Sequence, residues 1–207
     1  HVMARRQRQM CIRDSGNIYS RLGNPTVGAL EARLTALEDG AMCVALSSGT
    51  SAVMYSLINI MSQGDNFVTA NQLYGGTYTM FDNILPEYGI NSKKVDITDF
   101  EAVESAIDEK TRAIYCETIT NPGLVVADIS ALADIAHSKG IPLIVDATFT
   151  TSAILKPFEF GADIVVYSLT KWMSGHGRVI AGAVIEKGGF DWGNGNFPLY
   201  DKPDTSY

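Results

Sequence analysis

Residues 161–171 read GADIVVYSLTK, an apolar run that ends in two hydroxyl side chains and a lysine. A short continuous apolar run bounded by glycine and polar residues is typical of a strand buried on both faces. A second such run, PLIVDAT at residues 142–148, ends in Asp146. Other strand-like runs alternate with segments of helical periodicity along the chain. The sequence therefore predicts an α/β fold, a mainly parallel sheet with helices on both faces.

The pattern also predicts where the individual elements lie. We expect helices at 25–39, 49–61, 77–85, 99–107 and 130–139, and strands at 41–46, 66–70, 92–96, 112–118, 142–146, 163–169 and 179–186. The strand at 41–46 is predicted to be buried, and Pro86 to stop the third helix. Ligands of such sheets bind beyond the carboxyl ends of the strands, where both Asp146 and Lys171 lie.

Lys171 stands where a predicted core strand opens into a glycine-rich loop. Partial desolvation at such a place lowers the pKa of a lysine, and a neutral amine can form a Schiff base with an aldehyde. The hydroxyls of Ser168 and Thr170 suit a phosphate ester. An amine next to a phosphate anchor indicates pyridoxal phosphate (PLP), although a lysine after a strand is also commonly a solvated loop residue.

Asp146 is the second element of this hypothesis. A carboxylate at the end of a buried strand costs free energy unless it is paired. The protonated pyridine nitrogen of PLP is a suitable partner, and the pairing makes the ring an electron sink. Asp146 and Lys171 together therefore favour PLP over a solvated lysine.

Several motifs in the same order resemble the Cys/Met-metabolism family of PLP-dependent enzymes, fold type I. They are Tyr19-Ser20-Arg21, Ser47-Ser48-Gly49-Thr50, Leu73-Tyr74-Gly75-Gly76-Thr77, Glu117-Thr118, Asn121-Pro122, Asp146 and Ser168-Leu169-Thr170-Lys171. The resemblance covers residues 17–207 and implies the large domain of an aspartate-aminotransferase-like PLP-dependent transferase. Residues 190–198 resemble the O-acetylhomoserine sulfhydrylase branch.

The resemblance implies a role for each motif residue. Lys171 would carry PLP and move protons, and Asp146 would contact the ring nitrogen. The phosphate would be bound by Ser48, Gly49, Thr50, Ser168 and Thr170. From its own segment, Ser48 is equally well explained as a helix N-cap.

The remaining motif residues would complete the cofactor site. Tyr74 would stack on the ring and act as a proton donor near the leaving group. Asn121 would contact the phenolic oxygen, although its Asn-Pro turn is explanation enough for its presence. Tyr19 and Arg21 would reach the phosphate in a neighbouring subunit. Glu117 is expected to be structural.

The activity implied is PLP-dependent γ-replacement, in which O-acetyl-L-homoserine and sulfide give L-homocysteine and acetate. Methionine γ-lyase and cystathionine γ-synthase chemistry remain alternatives, as does an inactive PLP-binding fragment. The expected partners are an amino-acid substrate, sulfide or a thiol, and other copies of the chain in a dimer of dimers.

Composition excludes several other classes. A net charge of −7 gives no reason to expect nucleic acid or an anionic membrane as partner. The chain has 3 cysteines, too few and too scattered for a disulfide framework or a metal cluster, so buried thiols and a cytoplasmic location are expected. A Rossmann-type fingerprint is not convincing anywhere.

Domain organisation follows partly from the resemblance. Residues 1–15 are rich in arginine and are interpreted as a non-native leader rather than a transit peptide. Residues 16–60 are predicted to form an N-terminal arm and the first helices, and 61–207 an incomplete PLP-binding large domain. Family members continue into a C-terminal small domain, so this chain is expected to be a fragment with little activity of its own.

Overall fold

The computed structural model describes residues 19, 20 and 23–200, in which seven strands form one sheet. In chain order the strands are β1 (Met42–Leu46), β2 (Asn66–Ala70), β3 (Asn91–Val95), β4 (Thr111–Glu117), β5 (Leu143–Asp146), β6 (Ile164–Ser168) and β7 (Gly182–Glu186). Across the sheet their order is β1-β7-β6-β5-β4-β2-β3. β7 is antiparallel to both of its neighbours, and every other pair is parallel. The prediction of a mainly parallel sheet is confirmed.

Helices cover the sheet. They are α1 (Pro25–Glu38), α2 (Gly49–Ile58), α3 (Gly75–Thr79), α4 (Phe100–Ala106), α5 (Ile129–Ser138) and α6 (Thr151–Ile154), with a π-helical turn at Met80–Ile84 and 3₁₀ turns at Leu85–Tyr88, Pro157–Phe160 and Trp172–Ser174. Every residue of β2 is buried. Successive side chains of a strand point to opposite faces, so this burial shows that both faces of the sheet are covered there.

Helix α5 illustrates how the sequence produces a covering layer. Asp128 caps its first turn by accepting a hydrogen bond from the N–H of Ala131 at 3.1 Å. The residues that face the sheet recur at helical spacing and are buried: Ile129, Leu132, Ala133 and Ala136. An apolar stripe with a capping residue before it is sufficient to place this helix.

Strand β1 differs from its prediction. It was expected to be buried, but Met42 is 64% and Val44 48% exposed, and only Cys43 between them is in the core. The reason is its position at the edge of the sheet, where the described residues leave the side chains of Met42 and Val44 uncovered. The buried thiols of Cys43 and Cys116 fit the prediction for cysteine. Burial raises the pKa of Cys43 to about 12.

The helix predicted at 77–85 is the second correction. A short helix, α3, begins at Gly75 and passes into the π-helical turn and then into the 3₁₀ turn that contains Pro86. Proline fits the first turn of that segment because its nitrogen needs no partner there. The irregular path buries three apolar side chains, Met80, Phe81 and Leu85.

The last strand is also shorter than predicted. It begins at Gly182 and not at residue 179, and Val179 and Ile180 are exposed. Between them and the strand, Ala181 is held by a side chain, because the Thr170 hydroxyl donates to its carbonyl at 3.2 Å and accepts from its N–H at 3.1 Å. The backbone N–H of Thr170 also donates to the Ala181 carbonyl at 3.3 Å, so side chain and backbone of one threonine hold Ala181 just before the strand begins.

Topology brings several chain segments to one edge of the sheet. The carboxyl ends of β4, β5 and β6 lie side by side there, with Glu117 opposite Asp146. Ser168 at the end of β6 pairs with Gly182, which also pairs with Leu46 at the end of β1. The loops that follow these strands enclose the candidate site.

Candidate functional site

A cleft of about 700 Å³ opens at this edge. The predicted site residues that line it are Ser48, Gly49, Thr50, Tyr74, Asn121, Asp146, Ser168, Thr170 and Lys171. Tyr19 is exposed and does not line the cleft. Arg21 lies outside the residues that the structure describes. The fold thus brings together residues that are up to 123 positions apart in the sequence, from Ser48 to Lys171.

Asp146 lies in the wall of the cleft at the end of β5. Its Oδ1 accepts a hydrogen bond from the N–H of Thr148 at 2.9 Å, and its Oδ2 accepts one from the hydroxyl of Tyr115 at 3.2 Å. Desolvation raises the pKa of Asp146, while the hydrogen bonds oppose this shift. The donors to this carboxylate are neutral, so it is suited to pair with a cation that enters the cleft.

Lys171 lines the same cleft just after β6, but its side chain is exposed. The prediction of a partly desolvated lysine is therefore wrong for this chain. The physical reason is that the nearby apolar residues are themselves open, with Trp172 68% and Ile180 77% exposed. Among the described residues, no segment covers this side of the cleft.

The N-terminus of α2 forms another part of the wall. Ser48 is its N-cap, and its Oγ accepts a hydrogen bond from the N–H of Ser51 at 3.0 Å. The Ser48 side chain therefore caps the helix, which is one of the two explanations that the sequence offered for it. The first backbone N–H groups of a helix have no partner within the helix, so the backbone at Gly49 and Thr50 can still bind an anion.

Close backbone contacts fix this helix against the sheet. A Cβ atom at Gly49 would lie 2.4 Å from the Cβ of Ser168, and one at Gly182 would lie 2.0 Å from the backbone oxygen of Ser48. Only glycine permits these approaches. They hold the start of α2 beside the end of β6, which is where the resemblance puts a phosphate.

The hydroxyl groups near β6 have different partners. The hydroxyl of Thr148 accepts a hydrogen bond from the N–H of Ser168 at 2.8 Å and so links the ends of β5 and β6. Thr170 uses its hydroxyl to hold Ala181. Of the two predicted phosphate ligands near β6, Ser168 and Thr170, the side chain of Ser168 is thus the more available.

Glu117, expected from sequence to be structural, is part of the cleft wall. Its Oε1 accepts the N–H of Tyr74 at 2.7 Å, and its Oε2 accepts the N–H of Asn121 at 3.0 Å. Burial, together with the charge of Asp146, raises the pKa of Glu117 to about 7, although both hydrogen bonds lower it. Tyr74 heads α3 as predicted and is 47% exposed at the mouth of the cleft.

Sequence reasoning missed two residues that support the site, Tyr115 and Thr148, and did not place Glu117, expected to be structural, in the wall of the cleft. One signal was present, because Tyr115 and Glu117 are polar residues two positions apart in an apolar strand and therefore share a face. Thr148 carried no comparable signal. Its role depends on the distance between two strand ends.

The chemical groups that line the cleft fit PLP. The cofactor has a cationic ring nitrogen, an anionic phosphate and an aldehyde. The cleft offers a carboxylate at Asp146, the N-terminus of α2 beside Ser168, and an amine at Lys171. Each functional group of the cofactor has a chemically suitable partner among residues of one cleft.

Comparison with known proteins agrees with this chemistry. The profile of the family described as "Cys/Met metabolism PLP-dependent enzyme" matches residues 2–200. The chain is 45% identical over 196 residues to the O-acetyl-L-homoserine sulfhydrylase of Leptospira meyeri. The matched region covers 95% of this chain and 44% of that protein. It is 44% identical over 199 residues to the homocysteine synthase of Schizosaccharomyces pombe, covering 95% and 46%.

A solved structure is similar over the same region. It is the putative O-acetylhomoserine (thiol)-lyase of Campylobacter jejuni with N′-pyridoxyl-lysine-5′-monophosphate, at a TM-score of 0.90 and 40% identity, covering 94% of this chain and 49% of that one. The chain therefore spans about half the length of the relatives it matches. Given the family profile, the identity to its members and the shared fold, the chain belongs to the Cys/Met metabolism family of PLP-dependent enzymes.

Proposed function

We propose that this chain is the PLP-binding part of an enzyme that catalyses γ-replacement on O-acetyl-L-homoserine. In this reaction the bond from Cγ to the acetate oxygen breaks, a bond from Cγ to sulfur forms, and L-homocysteine and acetate are released. The observation that carries the proposal is the convergence of Asp146, Lys171 and the N-terminus of α2 on one cleft. The choice of substrate is supported by the names of the relatives.

The proposed roles follow from the chemistry of each side chain. Asp146 keeps a positive charge on the ring nitrogen, and the N-terminus of α2 holds the phosphate together with Ser168 and Thr170. Asn121 contacts the phenolic oxygen. When bound, PLP supplies an electron-withdrawing ring that stabilises negative charge at the substrate Cα.

Lys171 and Tyr74 carry the proton transfers in this proposal. The amine of Lys171 would hold the cofactor at its aldehyde carbon, and as a free base it would take the proton from the substrate Cα. The same amine can return that proton at a neighbouring carbon. The hydroxyl of Tyr74, at the open mouth of the cleft, donates a proton as acetate leaves.

We further propose that the active form is a cytoplasmic homo-oligomer in which Tyr19 and Arg21 serve a neighbouring copy. The exposed apolar side chains around the cleft, Phe149, Trp172, Val179 and Ile180, support a partner surface at this place. In the described residues no helix has the length and apolar character that crossing a membrane requires. The division into an arm at 16–60 and a large domain at 61–207 stays a prediction.

Reductive labelling tests the cofactor site. The chain is incubated with PLP, reduced with borohydride, digested and analysed by mass spectrometry. We expect the pyridoxyl group on the peptide that contains Lys171, and its loss in Lys171→Ala. Labelling spread evenly over surface lysines such as Lys110 and Lys139 would contradict the proposed site.

A chimera tests the reaction. The chain replaces the matching segment of the Leptospira meyeri relative, which supplies the remaining sequence. We expect homocysteine to form from O-acetyl-L-homoserine and sulfide, and no turnover with Lys171→Ala. Release of ammonia and 2-oxobutyrate in place of homocysteine would assign the chain to γ-elimination.

A further inference from the structure

The carboxylate of Glu117 joins two loops that the cleft needs in fixed positions. Glu117 is the last residue of β4, and its side chain is buried, at 5% exposure. One oxygen accepts the backbone N–H of Tyr74 at 2.7 Å, and the other accepts the backbone N–H of Asn121 at 3.0 Å. Both partners lie on irregular segments, which have no strand ladder to hold them.

The two loops also contact each other. A Cβ atom at Gly123 would lie 1.6 Å from the side-chain oxygen of Gln72, so the loop before α3 packs directly on the loop after β4. Glu117 lies beneath this contact, and its two hydrogen bonds reach one residue on each side of it. A shift of its carboxylate would move Tyr74 and Asn121 together.

Keeping a carboxylate at this place is costly. Glu117 is directly opposite Asp146 in the parallel pairing of β4 and β5, so two acids lie side by side at the bottom of the cleft. Buried like charges destabilise a fold, and hydrogen bonds to them offset only part of the cost. A neutral side chain at position 117 would destabilise the fold less than a carboxylate does, so core packing alone does not explain the acid.

We propose that Glu117 is a positioning residue of the cofactor site, whose carboxylate sets the backbone of Tyr74 and Asn121 for their contacts with PLP. The inference rests on the proposed function, since it requires PLP to lie in this cleft. It adds a residue that does not itself touch the reacting atoms. Its effect passes through two other residues.

Two substitutions test whether the Glu117 carboxylate holds the backbone of both Tyr74 and Asn121. In Glu117→Gln, the amide oxygen can accept one N–H, but the amide nitrogen then faces the second N–H as a donor. In Glu117→Asp, the shorter side chain keeps the charge but cannot span both partners. Glu38→Gln is the matched control, because Glu38 is a fully buried acid that accepts from the hydroxyl of Tyr167 and does not line the cleft.

The first measurement needs no cofactor. Hydrogen exchange of the whole chain is followed by mass spectrometry at about pH 8, where Glu117 is ionised. We expect faster exchange at residues 71–79 and 119–124 in both Glu117 variants, and no change there in Glu38→Gln. Unchanged exchange in the Glu117 variants would overturn the inference.

The second measurement reads the cofactor directly. PLP is titrated into each variant while its visible circular dichroism is recorded. We expect the dissociation constant to rise by about tenfold in Glu117→Gln, since a charge-assisted hydrogen bond is lost. The dichroism at saturation should also change, because Tyr74 no longer holds the same position. Glu38→Gln should show neither effect.

The outcomes separate the two proposals. A wild-type chain that takes up no PLP at Lys171 contradicts the proposed function, and the inference with it. A wild-type chain that binds PLP, with Glu117 variants that match Glu38→Gln in affinity and dichroism, leaves the proposed function standing and overturns the inference.

Discussion

The hydroxyl of Tyr115 lies 3.2 Å from Oδ2 of Asp146 and donates a hydrogen bond to it. Tyr115 is fully buried on β4, and its ring packs edge-on against Phe81. The rigid ring therefore holds the hydroxyl in place below the cleft. It supports one oxygen of Asp146, while Thr148 supports the other at 2.9 Å.

Removal of this hydroxyl should weaken both the fold and the cofactor site. Tyr115→Phe leaves the ring packing intact but deprives Asp146 of a donor. We expect the free energy of unfolding to fall by about 1 kcal/mol, and PLP to bind more weakly. Urea denaturation and PLP titration measure the two effects. Tyr88→Phe, at an exposed tyrosine, should change neither, and equal behaviour of the two variants would contradict the role given to Tyr115.

Asp146→Asn should separate stability from cofactor binding. The amide can still accept from the Thr148 N–H, and the Tyr115 hydroxyl can turn to accept from the amide nitrogen. The cofactor-free chain should therefore be as stable as wild type or more so, because a desolvated charge is removed. PLP affinity should fall by about 100-fold, since the ring cation loses its buried partner.

Chemical denaturation of the cofactor-free chain and PLP titration, run on the same preparation, measure this pair of effects. Parallel losses of stability and affinity would show that the carboxylate serves the fold and not the ring nitrogen.

Substitution of alanine for glycine should change the free energy of unfolding in opposite directions at two positions, Gly49 and Gly28. At Gly49 a Cβ atom would lie 2.4 Å from Ser168 Cβ and 2.8 Å from its Cα, so Gly49→Ala forces α2 away from β6. We expect a loss of about 1–3 kcal/mol in unfolding free energy. Gly28 is exposed within α1 and has no atom within 4 Å of its added Cβ, so Gly28→Ala should stabilise by about 0.5–1 kcal/mol. Thermal and urea unfolding of both variants check the signs.

Glu117 should make stability depend on pH. Its pKa is raised from 4.5 to about 7 in the folded chain, so the folded state binds the proton more tightly than the unfolded state. The contribution to stability is complete below the unfolded pKa and is lost as pH rises through the folded value. Relative to Glu117→Gln, the wild type should lose about 2 kcal/mol between about pH 5 and pH 8.

Urea unfolding of both proteins across that range tests this prediction, because titration of most other groups cancels in the difference. A difference in unfolding free energy that stays constant with pH would mean that Glu117 titrates at its ordinary value.

The elements with continuous apolar runs were predictable from sequence because burial on both faces leaves a local pattern. β2 is observed at the predicted residues, and β4, β5 and β6 differ from prediction only near their ends. Sequence patterns failed to predict burial where it depends on the neighbouring elements of the fold. The run at 41–46 is apolar, yet its place at the sheet edge leaves Met42 and Val44 exposed.

Some features of the candidate site were likewise predictable from sequence, and others were not. Asp146 and Lys171 were visible in the sequence because each is a polar residue directly after an apolar strand, and parallel strands bring such ends together. The bridge from Glu117 to Tyr74 and Asn121 was not visible. It joins Tyr74 and Asn121, which are 47 positions apart, through one carboxylate, and only the packing of the loops sets those distances.

The sequence by itself thus determined the sheet of alternating strands and helices, the family, and the acid and amine offered to the cofactor, because hydrophobic period and motif order are local properties of the chain. Tertiary structure alone decided that Lys171 is exposed, that Tyr115 and Thr148 support Asp146, and that Glu117 ties two loops together. Those features depend on strand register and on distances between segments that are remote in sequence, and such distances exist only once the chain has packed.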